Sequence, residues 1–204
     1  GTAGLQLLPG IYAGESMSWL DALFTSTSAV CVTGLIVEDT AQFFTPWGQA
    51  FVLLLIQLGG LGMLTFASLI LVALGKRVSL RAQASAIVAP ESTLHLEGRN
   101  ITRDIVRFTF LFEAIGALIL YALWVPKFGW RDAAWPAVFH AVSAFCNAGF
   151  STFSDSLMGF QRSPASLIVI TFLILAGGIG FLTHTEMWHS LVSWKQQTAF
   201  RVSL

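Results

Sequence analysis

Apolar and polar positions along this chain fall into long blocks rather than short alternations. Residues 51–74 carry no charge at all, and at about 1.5 Å per residue a helix over them can cross a hydrocarbon core of about 30 Å. Residues 108–125, with the single acid Glu113, and residues 166–183, with none, sit near the lower length limit for spanning. The pattern therefore predicts three full crossings. Between them lie two shorter blocks, residues 18–29 and 133–145, apolar enough to enter a bilayer but too short to traverse it. That combination marks re-entrant segments. Irregular backbone at membrane depth is tolerated only where protein or a water-filled cavity surrounds it, so two such segments imply a shared central pathway.

The two short blocks are copies of one another. FTSTSAVCVTGL, residues 24–35, aligns without gaps to FHAVSAFCNAGF, residues 139–150. Phe24/Phe139, Ser28/Ser143, Ala29/Ala144, Cys31/Cys146 and Gly34/Gly149 all coincide at one offset, 149 − 34 = 115. A second echo follows at 177 − 59 = 118, where Gly59-Gly60-Leu61-Gly62 answers Gly177-Gly178-Ile179-Gly180. Internal repetition of this kind identifies the architectural unit before any element is assigned. Each copy reads as a spanning helix, a short half-helix, a glycine turn, a loop and a second spanning helix. The expected fold is all-α and integral to the membrane, with two repeated helix, re-entrant loop, helix units. Subtracting 115 from residues 108–125 puts the counterpart of that helix at −7 to 10, so the first unit is expected to open inside a truncated outer helix.

Composition agrees with a bilayer environment. The 204 residues are 55% hydrophobic and 11% charged, with a mean hydropathy of +0.72, and the charged share is about half that of soluble domains. The first nine residues lack the charged start and small-residue cleavage site of a signal peptide. Formal net charge is zero, so distribution carries the information. Assigning loops to alternate sides places Lys76, Arg77, Arg81, Arg99, Arg103, Arg107, Lys195 and Arg201 together, against Lys127, Arg131 and Arg162 on the other side. The richer side is cytoplasmic under the positive-inside rule. The Gly34 and Gly149 loops then face outward, beside Glu15, Asp21, Glu38, Asp39, Asp132 and Asp155, acids that either concentrate cations or are ordinary solvated loop charge.

A cation sheds its water only where other oxygens replace it, and backbone carbonyls aimed at an axis do so without fixed charge. Presenting them needs a tightly turned backbone, which glycine permits and which rationalises Gly34 and Gly149 at the same point of each copy. The candidate ion ligands are the carbonyls of Cys31, Val32, Thr33 and Gly34 with those of Cys146, Asn147, Ala148 and Gly149. The preceding half-helices would turn their negative C-terminal ends toward the cation.

TSAVCVTGL, SAFCNAGF and the GGLG and GGIG helices that follow them resemble the first two pore units of the Trk/Ktr/HKT superfamily of potassium transporters. The resemblance covers nearly the whole chain. It implies four non-identical units of potassium-channel type around one pore, each giving a filter glycine, here Gly34 and Gly149. A serine at the first filter glycine accompanies sodium preference in one plant branch, so Gly34 favours potassium. The implied units are 1–75 (truncated outer helix, pore helix 18–29, filter 31–35, inner helix 47–75) and 105–194 (outer helix 105–126, pore helix 132–145, filter 146–150, inner helix 164–190). Residues 76–104 form a cytoplasmic linker and 195–204 a cytoplasmic segment. The chain holds two units where the family has four. It is therefore expected to be a fragment, or to pair with another copy to complete a pore. The resemblance further implies a multi-pass protein of the cell membrane with no enzymatic activity, potassium as substrate, and sodium or protons as candidate coupling ions. No covalent cofactor and no transition metal are expected. The implied partners are a cytoplasmic nucleotide-binding regulatory subunit and a second copy of the full-length protein, with no nucleic acid. Alternatives are a sodium or mixed monovalent cation transporter, a structural subunit whose glycine loops would not converge, and a membrane-embedded enzyme.

Other features of the chain admit plainer readings. Glu113 inside an apolar span costs about 2.5 to 3.5 kcal/mol or more unless partnered, so it is either functional or a packing group beside a pore helix. The two glycine clusters lie in apolar helices and follow no strand, which argues for close helix packing over a dinucleotide site. His184, Glu186 and His189 are zinc-ligand types, yet at about 100° per residue they fall at about 0°, 200° and 140°, so His184 shares no face with the others. Trp188 and Trp194, and Trp124, Trp130 and Trp135, suit inner and outer aromatic belts. Cys31 and Cys146 are expected to be small filter-flanking residues rather than a disulfide pair.

Overall fold

The computed structural model describes residues 1–82, 92–180 and 183–184. Among the described residues the regular structure is helical: α1 (Thr2–Leu7), α2 (Trp19–Val30), α3 (Thr40–Phe43), α4 (Pro46–Ala82), α5 (Ser92–Phe128), α6 (Ala134–Phe145), a 3₁₀ turn (Met158–Phe160) and α7 (Pro164–Ile179). One isolated bridge joins Tyr12 to Phe44. Two of these helices, α4 and α5, are long and apolar enough to cross a bilayer, over residues 46–63 and 102–128.

Local chemistry explains the boundaries. Ser18 caps α2 by accepting from the Asp21 N–H at 3.2 Å, with Asp21 in the positive first turn. Thr45 Oγ1 accepts from the Gly48 N–H ahead of the helix that Pro46 opens. α5 stops at Gly129, whose φ of 86° is left-handed and whose N–H reaches the Val125 carbonyl.

Several expected boundaries move. The linker expected over 76–104 is helical at both ends, because α4 runs to Ala82 and α5 starts at Ser92, extending the outer helix expected over 105–126. The stretch 76–82 contains no breaker, and Gly98 inside α5 costs only about 1 kcal/mol relative to alanine, too little to end a helix. The inner helix expected over 164–190 ends at Ile179, where Gly180 turns to a φ of 80°. At 16 residues, α7 is shorter than the spanning helix the apolar block predicted. Residues 183–184 are again helical, and the rest of that expectation, with the segment 195–204, lies outside the described residues.

Two apolar clusters organise the molecule. Ala22 and Ala29 of α2 pack between Leu5 of α1 and Val52, Leu55 and Ile56 of α4. Ala137, Ala141 and Phe145 of α6 pack between Leu120 and Trp124 of α5 and Ile170, Leu173 and Ala176 of α7. Each short helix is thus wedged in a helical pair. The copies are joined because Phe139, Cys146, Ala148 and Phe150 of the second enter the first cluster. Leu58 and Phe66 of α4, Leu111 and Leu118 of α5, and Ile168 and Phe172 of α7 remain exposed, as a lipid-facing surface requires.

Trp124, expected in an outer belt, is buried and donates from Nε1 to Ser166 Oγ at 3.0 Å. Its indole is enclosed by α7 and by Phe153 and Phe160 rather than by headgroups. Trp135 donates to Gln49 Oε1, while Trp19, Trp47 and Trp130 are exposed. Trp188 and Trp194 lie outside the described residues.

Candidate functional site

The segments that follow α2 and α6 repeat the same hydrogen bonds. After α2, the N–H groups of Cys31, Val32 and Thr33 fold back onto the carbonyls of Thr27, Ala29 and Ser28 at 2.8, 3.2 and 3.0 Å. After α6, Cys146, Asn147 and Ala148 do the same onto Val142, Ala144 and Ser143 at 2.9, 3.0 and 2.8 Å. Every partner is displaced by the same 115 residues. In each copy a serine then clasps the far side of the loop: Ser28 Oγ donates to the Leu35 carbonyl and Ser143 Oγ to the Phe150 carbonyl, both at 2.7 Å. These clasps were missed at the sequence level. The serines are visible in the repeat, but a partner seven residues away is not.

The backbone alternates in handedness. φ is −80° at Cys31, 50° at Val32, negative at Thr33 and 77° at Gly34. The second copy gives −71° at Cys146, 61° at Asn147, a negative value at Ala148 and 76° at Gly149. In each copy the left-handed residue after the helix, Val32 or Asn147, caps its C-terminus and folds the next amide back onto the helix, and the second left-handed residue is the glycine. A left-handed, β-branched valine costs about 1–2 kcal/mol and persists only where its surroundings enforce it. Among the described residues, the carbonyls of residues 31–34 and 146–149 accept no hydrogen bond. Their oxygens are free for another ligand.

The two loops meet. A Cβ added to Gly34 would lie 2.6 Å from the Ala148 carbonyl oxygen and 3.3 Å from Gly149 Cα, and one added to Gly149 would lie 3.4 Å from Gly34 Cα. The fold thus sets Gly34 against Ala148 and Gly149 and brings Val32 beside Cys146 and Asn147, while Cys31 is exposed. Beside them, Val32, Gly60, Cys146, Asn147, Gly177 and Gly178 border a cavity of about 270 Å³ between the loops and the glycine-bearing helices.

Those glycines have specific duties. Gly59 lies against the Val30 carbonyl and Gly177 against the Phe145 carbonyl, the last residues of the two short helices, with no room for a Cβ. Gly60 lies against Cys146, where a Cβ would come within 2.5 Å of Sγ. Close packing thus accounts for these three, while Gly62 and Gly180 have nothing within 4 Å of such a Cβ.

The remaining candidates separate. Glu113 is buried and accepts a hydrogen bond from Gln57 Nε2 at 3.1 Å. His184 Nε2 lies 3.0 Å from the Ala176 carbonyl, and Glu186 and His189 fall outside the described residues, among which no cluster of three or more His, Cys, Asp or Glu could hold a metal ion. Cys31 and Cys146 are free thiols, the first exposed and the second buried.

Facing glycine loops carried on short helices, in a frame with two helices able to cross a bilayer, define an all-α membrane protein. The chain belongs to the TrkH family, described as "Cation transport protein", whose match covers residues 3–200. It is similar to Ktr system potassium uptake protein B of Vibrio alginolyticus, 42% identical over 92% of this chain and 41% of that protein. The protein of the same name in Bacillus subtilis is 44% identical over 88% of this chain and 40% of its own length. Potassium/sodium uptake protein NtpJ of Enterococcus hirae is 38% identical over 89% and 40%. The chain spans about two fifths of the length of these relatives. The family is one of transporters, not enzymes, which removes the membrane-embedded enzyme from the readings left open by the sequence.

Proposed function

We propose that this chain supplies two helix, pore loop, helix units of a Trk/Ktr-type transporter, and that potassium crosses the membrane by exchanging its water for the carbonyls of residues 31–34 and 146–149. The observation that carries the reading is the paired backbone: alternating handedness, amides tied back to the short helices, and oxygens left without partners, repeated in two loops that touch. The C-terminal ends of α2 and α6 add negative potential at the same place. Relatives bearing potassium uptake in their names support the choice of ion.

The two loops provide part of a ring. Phe24, Val30 and Leu35 of the first copy are 43%, 41% and 60% exposed, whereas their counterparts Phe139, Phe145 and Phe150 are 0%, 1% and 2% exposed. The covered surface of the second copy lies uncovered on the first, which supports further units, as the four-unit resemblance implies. The same reading carries the outward orientation of the loops in the cell membrane, a nucleotide-binding regulatory subunit on the cytoplasmic side and a dimer of the full-length protein. A mixed potassium and sodium pathway is the second reading, favoured by the relative named for both ions.

The test is rubidium and sodium uptake in transport-deficient cells expressing the full-length transporter that contains these units. Gly34→Ser and Gly149→Ser are expected to lower the rubidium-to-sodium ratio about tenfold, because a Cβ at either glycine is strained by positive φ and at Gly34 also strikes the opposite loop. Unchanged rate and ratio in both variants would remove the filter assignment.

A further inference from the structure

Glu113 is 4% exposed within α5, and its carboxyl group has partners from both copies. Gln57, on α4 of the first copy, donates Nε2–H to Glu113 Oε2 at 3.1 Å. Cys146 Sγ, at the head of the second loop, lies 3.8 Å from Glu113 Oε1 and 4.0 Å from Gln57 Oε1. The same residue packs against Gly60, one turn of α4 beyond Gln57. Cys146 is thus held from two sides by the seam between the copies. The first loop has no such grip, since Cys31 is exposed. The repeat also places Leu175 on α7 where α4 carries Gln57, at 57 + 118 = 175, so the arrangement is not a shared feature of the fold.

Packing alone does not require this chemistry. An apolar residue at position 113 would fill the seam without burying an acid in a bilayer. A polar pair adds direction, because hydrogen bonds fix distance and angle where apolar contacts tolerate sliding. Discrimination between similar cations depends on the number and placement of carbonyl dipoles, and Cys146 contributes the first of these in its loop.

We infer that Glu113 and Gln57 form a positioning pair that fixes Cys146 and so sets ion discrimination at the second loop. The inference rests on the filter reading above. In the full-length transporter, Glu113→Leu and Gln57→Leu should each lower the rubidium-to-sodium uptake ratio by about fivefold to tenfold, with normal amounts of protein in the membrane. The double variant should be no worse than the poorer single one, since both remove one interaction. Glu113→Gln retains an oxygen that accepts from Gln57 and should stay within about twofold of the parent. Leu175→Ala should leave the ratio unchanged. Additive losses, an unchanged ratio in either leucine variant, or a Glu113→Gln defect as large as that of Glu113→Leu would overturn the pair. Should Glu113→Leu fail to reach the membrane, Gln57→Leu at its half-buried position carries the test. Gly149→Ser, assayed alongside, separates the two readings. If it alters the ratio and the leucine variants do not, only the positioning pair falls, whereas indifference to Gly149→Ser removes the second loop from the filter and the pair with it.

Discussion

Ser28 and Ser143 close the two loops with hydroxyl bonds of equal length to carbonyls seven residues onward, and the Ser143 bond, the buried one of the two, leaves its acceptor orphaned if it is removed. Ser143→Ala should therefore cost about 1–3 kcal/mol, read as a lower melting temperature of the purified transporter and a reduced rubidium-to-sodium ratio. Ser143→Thr, which retains a hydroxyl, should recover part of both. At this scale the repeat made Gly34 and Gly149 legible, because matched glycines flag matched backbone demands. It could not reveal the left-handed Val32, since a β-branched residue is the last type expected there. Nor could it distinguish Trp124 from an interfacial tryptophan, because its burial depends on Ser166 and Phe160 arriving from elsewhere in the chain.

Among the elements, α2 and α6 press their last carbonyls onto Gly59 of α4 and Gly177 of α7. Gly59→Val and Gly177→Val should each destabilise the protein by about 1–3 kcal/mol or more through overpacking. Gly62→Ala, on the same helix as Gly59 but with nothing near its Cβ, should raise stability by as much as about 1 kcal/mol through helix propensity. Thermal unfolding in detergent separates the three, and equal effects at Gly59 and Gly62 would contradict the packing role. The existence and type of the long helices are readable from apolar runs with at most one charge. Their ends are not, because a single glycine weighs little inside a helix and Gly98 is tolerated, whereas Gly180 takes a positive φ and stops α7. Sequence alone gives glycine no means of choosing between those roles.

For the whole molecule, the repeat raises the expectation of two loops facing one pathway, and the structure sets Gly34 against Ala148 and Gly149. The seam chemistry of Gln57, Glu113 and Cys146 was illegible, because it joins three positions that lie on no common periodic face. Orientation can be tested directly. With membrane-impermeant maleimide on intact cells, a cysteine at the exposed Gln161 should label readily, and one at the exposed Arg103 should label only after permeabilisation. The reverse pattern would place the loops on the cytoplasmic face.

The central claim concerns main-chain oxygens, so the most direct measurement is a crystal structure of the full-length transporter grown in rubidium, with data at the rubidium absorption edge. Anomalous peaks should lie on one axis, within coordination distance of carbonyls from both residues 31–34 and residues 146–149. Peaks found only elsewhere, with those carbonyls turned into hydrogen bonds within the protein, would contradict it.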